Sequence, residues 1–453
     1  MSMFNLLYKK DVYPIPMGAF WNVDDERIWM LYAPKKGSMQ LVARDELQKL
    51  CEDLAQGNDT SLTVVNDLLA NPDLPVMYIP KTPHELIQID LLLNYTCNFR
   101  CVYCYSARGR SSQQGRFEDY KAVIDYLFCT GRKQSGPYLI TFSGGGEPLM
   151  SFPLIKRIVE YTERIAEGKG YYYSFGMVSN GSLLTPEIAS FLLEHDINIA
   201  ISFEILEELQ NKERGSYDKV ATNIDMLSGM DVPFGVRTTF TMAAVTSMNV
   251  MIETVAKRFP KLKHVVFDVV LSPDLFVSPA ELDDYYNAFL DNFYHAKELA
   301  ATYGILLESN AVETQTLLRD RTCEGKIVVT PSGSITNCSR VSSPSETLYE
   351  EYVYGRINDG HVIFDEDKFR KQMAEYNIYT SPECNECFAK WNCGGGCRLF
   401  HQSFTSEFVP VRCNFVRKAL KMELRQTISA RFRKQTGGDL HAFIQSCMES
   451  GKC

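Results

Sequence analysis

From residue 85 to about 270 the chain alternates short apolar runs with amphipathic stretches. The runs predict strands near 86–93, 137–143, 171–178, 197–203, 233–240 and 263–270. Helical spacing between them falls at 117–129, 152–166, 185–195 and 216–228. Six βα units imply a parallel sheet, which gathers its ligands at the carboxyl ends of its strands. Strand counting leaves both a flat doubly wound sheet and a partial barrel open. Ahead of this region, Ala19-Phe20-Trp21, Ile28-Trp29-Met30-Leu31-Tyr32 and Met39-Gln40-Leu41-Val42 read as three short strands. Leu47, Leu50, Cys51 and Leu54 then share a helical face, as do Leu62, Val65, Leu68 and Leu69, before Asn71-Pro72 and Pro75 stop the pattern. That is a small α+β unit. Beyond residue 310 the βα rhythm ceases, and 414–446 reads as helix. The pattern divides the chain at 1–84, 85–310 and 311–453.

Composition narrows the class. A hydrophobic fraction of 45% and a charged fraction of 23% are those of a globular chain. A net charge of -9, with no run of Lys and Arg, argues against a nucleic-acid partner. No stretch resembles a secretory signal or a membrane span, so the expectation is a cytoplasmic protein with no membrane partner. Fourteen cysteines in such a chain point first to metal, since the cytosol disfavours disulfides. Cys51 and Cys129 fall on apolar helix faces and read as packing residues.

Three thiols lie within eight residues, in Cys97-Asn98-Phe99-Arg100-Cys101-Val102-Tyr103-Cys104, a CxxxCxxC spacing. Thiolates favour iron–sulfur clusters or zinc, and three ligands leave one iron of a four-iron cubane free for another molecule. This loop follows the first strand of the βα region. It resembles the loop of the radical S-adenosylmethionine (AdoMet) enzymes, in which three cysteines hold a [4Fe-4S] cluster and AdoMet chelates the fourth iron. The resemblance implies reductive cleavage of AdoMet and hydrogen-atom abstraction from a substrate by a 5'-deoxyadenosyl radical. It also implies an α/β fold, an open partial (β/α)6 barrel over 85–310.

The same resemblance assigns AdoMet contacts. Ser143-Gly144-Gly145-Gly146-Glu147-Pro148 follows the second strand and is similar to the family's GGEP motif, so Gly145, Gly146 and Glu147 are expected to meet the AdoMet amino group. Ser179 and Asn180 close the third strand and Ser202 the fourth; a serine at the latter position contacts the ribose in peptide-modifying members. Twelve positions on, Arg214 matches the arginine that pairs with the AdoMet carboxylate. Tyr103 matches the aromatic position near adenine. The family more often has Asp-Gly where this chain has Glu204-Ile205.

A second cysteine set comprises Cys323, Cys338, Cys384, Cys387, Cys393, Cys397 and Cys413, with a central CxxCxxxxxCxxxC block around Gly394-Gly395-Gly396. Spacing alone does not separate zinc from iron–sulfur. The block resembles the SPASM extension, which carries two auxiliary [4Fe-4S] clusters and would bring the total to three. The resemblance puts Cys384, Cys387, Cys393 and Cys413 on the distal cluster and Cys323, Cys338 and Cys397 on the inner one, which then lacks a ligand. An open iron that binds a substrate thiolate, or a ligand from elsewhere such as Cys447 or Cys453, would complete it. Ser339 stands where sulfatase-maturing enzymes place a basic aspartate.

These resemblances imply a peptide maturase that forms an oxidative crosslink, with thioether formation first. Formylglycine formation on a sulfatase is the alternative enzyme, and a zinc-stabilised peptide-binding protein the alternative of another class. Residues 1–84 are similar to a winged-helix peptide-recognition domain, where the leader of a precursor peptide would add a strand, or else form a structural cap. An electron donor such as flavodoxin or ferredoxin is the expected second partner. Asp268 and Glu308 are candidate site-facing carboxylates; no catalytic residue is identified.

Overall fold

The computed structural model describes residues 3–57, 62–129, 134, 136–312 and 317–450. The chain forms two compact units. One contains Met1–Tyr78, Ala311–Cys323 and Glu375–Cys453, and the other Ile79–Asn310 and Glu324–Ala374.

In the first unit, β1 (Tyr13–Pro16), β2 (Ile28–Ala33) and β3 (Ser38–Ala43) form an antiparallel sheet in the order β1-β2-β3. The expected strand at Ala19-Phe20-Trp21 is instead part of a 3-10 turn, Gly18–Trp21. A Cβ on Gly18 would sit 2.0 Å from the Asp24 carbonyl oxygen, so the chain doubles back too tightly there for a strand. The edge position passes to Tyr13–Pro16, where two prolines are tolerated because one side needs no ladder bonds. The helix Arg44–Gln56 starts with Glu46 accepting from the Ala43 N–H at 3.0 Å and ends at Gly57 with φ 72°. Its buried Leu47, Leu50 and Cys51 pack with Leu31, Val65 and Leu68, as the spacing predicts for Cys51. The helix read over 414–446 is two helices, Val409–Thr436 and Leu440–Glu449, because Gly437 takes φ 73° and Asp439 caps the second. Cys453 lies outside the described residues.

The second unit is built on one sheet. Its strands are β4 (Gln88–Leu91), β5 (Tyr138–Phe142), β6 (Tyr173–Ser179), β7 (Ile197–Ser202), β8 (Phe234–Phe240), β9 (His264–Val269) and β10 (Leu306–Glu308), followed by β11 (Ile327–Val329), β12 (Ser334–Thr336), β13 (Val353–Asn358) and β14 (His361–Phe364). β4 to β10 lie side by side in chain order and parallel. An order without reversal has no doubly wound switch point and is that of a partial barrel. The six predicted strands are β4 to β9. β11 extends the sheet parallel to β4, and β12 to β14 follow antiparallel, beyond residue 310, where the βα rhythm of the sequence ceases. Three-residue strands such as β11 and β12 carry too little alternation to be read.

Along β8, buried Val236, Thr238 and Phe240 alternate with half-buried Arg237 and Thr239, so one face packs on helices and the other stays open. Phe117–Leu127, Phe152–Ala166, Pro186–Glu194 and Tyr217–Gly229 are among the crossover helices. Cys129 is not on the first of these. That helix ends at Leu127 because the buried Phe128 ring turns in against Tyr138, Tyr171 and Tyr173, leaving Cys129 exposed. Among the described residues no helix is long and apolar enough to cross a membrane.

Candidate active site

The cysteine loop leaves the carboxyl end of β4 and is held by backbone. The carbonyls of Asn94 and Thr96 accept from the N–H groups of Gly146 and Glu147, each at 2.8 Å. A Cβ on Gly146 would lie 1.9 Å from the Thr96 oxygen and 2.2 Å from Asn94 Oδ1; on Gly145 it would lie 2.6 Å from the Asn94 oxygen. These glycines therefore let the strip after β5 lie directly on the cysteine loop. Buried Asn94 adds side-chain bonds to the Glu147 carbonyl at 3.1 Å and to Ser151 Oγ at 2.8 Å.

Glu147 is buried and its carboxylate is fully engaged. Oε1 accepts from Leu149 N–H at 3.1 Å and Ser179 Oγ at 2.7 Å, and Oε2 from Asn180 N–H at 2.8 Å. Burial raises its pKa, against these hydrogen bonds and the Arg214 charge. Ser179 and Asn180, expected at AdoMet, thus hold Glu147, and Asn180 also donates to Asn98 of the cysteine loop at 2.8 Å. Ser202 is half-buried at the end of β7, in register with Arg237 of β8.

The segment after β7 clasps the loop from its other side. The Val102 N–H donates to the Glu213 carbonyl at 3.0 Å. The Tyr103 hydroxyl donates to Glu204 Oε1 and accepts from Arg214 Nη1 at 2.9 Å. Arg214 lies 3.8 Å from Glu204, which is buried, while Arg214 keeps 9% of its side chain exposed. Burial pushes Glu204 up to about 7, although Arg214 and Tyr103 oppose it. Burial disfavours the Arg214 charge, but Tyr103, Cys101 and Glu204 outweigh it and keep the guanidinium protonated. Arg214 Nε and Glu204 Oε2 are buried without a hydrogen-bond partner, which suits a site completed by a polar ligand.

Cys97, Cys101 and Cys104 are half-buried. Burial raises the Cys97 and Cys101 thiols; their mutual charges and that of Cys104 add to it, while Arg110 and Arg214 counter it. In the first unit Cys384, Cys387, Cys393 and Cys413 form a second electrostatic group. Cys384 is pushed up to about 12 by burial and then by the other three thiols, and Cys393 to about 11. Arg417 donates to Cys387 Sγ at 3.5 Å. Crowded thiols beside arginines are a donor set whose repulsion a bound cation would relieve. Among the described residues, however, no three Cys, His, Asp or Glu groups are drawn in to metal-binding distance. Gly394, Gly395 and Gly396 take φ 70°, 81° and 92°, which wraps the chain between Cys393 and Cys397. Cys323 and Cys397 belong to the first unit and Cys338 to the second.

Asp268 accepts from Arg237 at 2.7 Å and from Asn310 twice, at 2.9 and 2.8 Å, and Glu308 contacts His264 at 2.6 Å. Sequence reasoning missed the Tyr103 hydroxyl as a hub and Glu204 as its partner. The one signal was the departure from Asp-Gly at Glu204-Ile205.

A family model described as the Radical SAM superfamily matches residues 91–257. An uncharacterized protein of Methanocaldococcus jannaschii is 32% identical over 33% of this chain, and the chain spans about half, 52%, of that relative's length. The radical SAM cyclopropyl synthase TigE of Paramaledivibacter caminithermalis is 20% identical, over 70% of this chain and 69% of its own. A cysteine-type anaerobic sulfatase-maturating enzyme of Clostridium novyi is also 20% identical, over 67% and 85%. Among solved structures, anSMEcpe with bound AdoMet shares the fold with a TM-score of 0.61 at 18% identity, over 76% of this chain and 94% of that one. Streptococcus suis SuiB bound to the precursor peptide SuiA shares it with a TM-score of 0.52 at 11% identity, over 84% and 97%.

Proposed function

We propose that the chain, whose residues 91–257 match the Radical SAM superfamily model, is a radical SAM oxidoreductase that binds AdoMet at the carboxyl ends of β4 to β7 and oxidises a side chain of a peptide. The observation that carries this reading is the cysteine loop, fixed on one side by Gly146 and Glu147 and on the other by Glu204, Glu213 and Arg214. Cys97, Cys101 and Cys104 would hold a [4Fe-4S] cluster, and Arg214 the AdoMet carboxylate. When bound, the pair supplies hydrogen-atom abstraction. Tyr103, Gly145, Ser179, Asn180 and Ser202 would shape the rest of the pocket. Cys384, Cys387, Cys393 and Cys413 would hold an auxiliary cluster.

Two peptide reactions fit. Oxidation of a peptidyl cysteine to formylglycine has the broader support, from the Clostridium novyi relative and the anSMEcpe fold. Thioether crosslinking, the first expectation from sequence, rests on one specific observation: Ser339 follows Cys338 where sulfatase-maturing enzymes place an aspartate. In either case residues 1–84, ahead of the barrel and of a C-terminal 311–453 region, would receive the peptide leader, and flavodoxin or ferredoxin would supply electrons in the cytoplasm.

Reduced enzyme should be incubated anaerobically with AdoMet and a cysteine-containing sulfatase peptide, with 5'-deoxyadenosine and peptide mass followed together. An aldehyde product with loss of sulfur supports maturation of a sulfatase. Loss of two hydrogens with sulfur retained supports a crosslink. Iron and sulfide content of wild type against a Cys97, Cys101 and Cys104 to Ala variant tests the cluster assignment: a loss of about four irons is expected. AdoMet cleavage that survives the triple substitution overturns the whole reading.

A further inference from the structure

The turn after β7 is braced in an unfavourable conformation. Ile205 is fully buried at φ 63°, and the Leu206 N–H donates back to the Glu204 carbonyl at 2.6 Å. A β-branched residue in such a positive-φ γ-turn is strained and persists only where the surroundings impose it. Here they do. Buried Gln210 accepts from the Glu204 N–H at 2.9 Å and donates to the Gly215 carbonyl at 2.8 Å. The result is a carboxylate delivered, with no solvent exposure, to the hydroxyl of Tyr103 between two cluster-loop cysteines.

We propose that Glu204 is a positioning residue for AdoMet: through Tyr103 it fixes the Arg214 guanidinium and supplies the negative charge that offsets it. This rests on the reading that AdoMet binds beside Arg214. AdoMet carries a sulfonium, an ammonium and a carboxylate, one net positive charge. With Glu204 ionised, the Glu204–Arg214 pair is neutral toward that cation. Without it, a largely buried guanidinium faces the cation uncompensated, and its fork is no longer held for two-point contact with a carboxylate. The unpartnered Arg214 Nε is the donor left over for that contact.

The test is the AdoMet dissociation constant of the anaerobic holoenzyme, by equilibrium dialysis from about pH 6 to 8.5, with iron content and thermal melting recorded for each variant. Groups facing Glu204 are Tyr103, Arg214 and Glu213. Wild type is expected to lose affinity as pH falls through about 7, where Glu204 takes up a proton. E204Q should bind roughly tenfold more weakly at pH 8, the loss of one charge-assisted contact, and should lack that pH step. Y103F removes only the hydroxyl and should weaken binding by a similar factor, so it carries the test if E204Q loses iron or melts early. An E204Q or Y103F constant within twofold of wild type, with the wild-type pH profile, overturns the role of Glu204. Iron-loaded wild type that does not bind AdoMet overturns the AdoMet reading, and the role of Glu204 with it.

Discussion

Tyr32 and Asn392, 360 positions apart in sequence, meet in a buried hydrogen bond of 3.2 Å, Tyr32 Oη to Asn392 Oδ1. Tyr32 is on β2, and Asn392 immediately precedes Cys393. One residue earlier, Trp391 donates to Asp11 at 3.1 Å under the Lys35 ammonium. The N-terminal sheet and the four-thiol block are therefore one folded body. Tyr32→Phe keeps the ring and removes the bond, and should cost about 1–2 kcal/mol. Urea unfolding should show it. Hydrogen exchange should show the same loosening in β2 when Cys384 and Cys387 are both replaced by Ser, and β2 protection unchanged in that variant would separate the two elements.

Glu147→Gln should be far more damaging than its isosteric shape suggests. Both carboxylate oxygens accept from donors, namely Leu149, Ser179 and Asn180. An amide must point N–H groups at at least one of them in a site closed to water. A loss of about 2–4 kcal/mol in stability is expected from denaturant midpoints. AdoMet cleavage should fall with it, because Asn180 and the cysteine loop lose their shared anchor.

Gly146→Ala and Gly168→Ala separate two reasons for glycine. At Gly168, φ is 69° and no atom lies within 4 Å of an added Cβ, so Ala should cost about 1 kcal/mol of backbone strain. At Gly146 the Cβ would overlap the Thr96 carbonyl, which belongs to the cysteine loop. That substitution should displace the loop and reduce iron incorporation. Equal iron content and equal melting temperatures in the two variants would refute the packing explanation.

The six strands β4 to β9 were legible because each is a run of four to seven residues, largely apolar at alternate positions and closed by a turn. The cysteine spacing stands out in the sequence, but spacing does not fix which thiols converge, and among the described residues no three are drawn in to metal-binding distance. Two kinds of feature were not legible. Gly18–Trp21 has the apolar content of a strand, and only the approach of Asp24 forbids one. The cluster-loop clasp depends on Tyr103, Glu204 and Arg214, which lie 101 and 111 positions apart. Their pairing joins the loop after β4 to the segment after β7, two strands that are not neighbours in the sheet. Cys129 was misplaced for a related reason: helical spacing continues through it, but the Phe128 ring is captured by Tyr138, Tyr171 and Tyr173 and ends the helix.

The pH dependence of stability should carry the signature of Glu204. Its folded pKa of about 7 lies above the ordinary value of 4.5, because burial penalises the anion more than Arg214 and Tyr103 favour it. Between these values the folded state binds more protons than the unfolded one. The contribution is therefore complete below about pH 4.5, declines as pH rises toward 7 and is gone above it. For a group this buried it amounts to about 3 kcal/mol. Glu147, Glu213 and Glu346 are raised in the same direction and add slope of the same sign. Urea midpoints of the wild type should accordingly rise as pH is lowered from about 8 to 5.5. In E204Q the rise should be smaller by the share of Glu204, and the two curves should converge at the acid end. Parallel curves across the whole range would mean that Glu204 is ionised in the folded protein throughout, held so by an Arg214 pairing stronger than its burial.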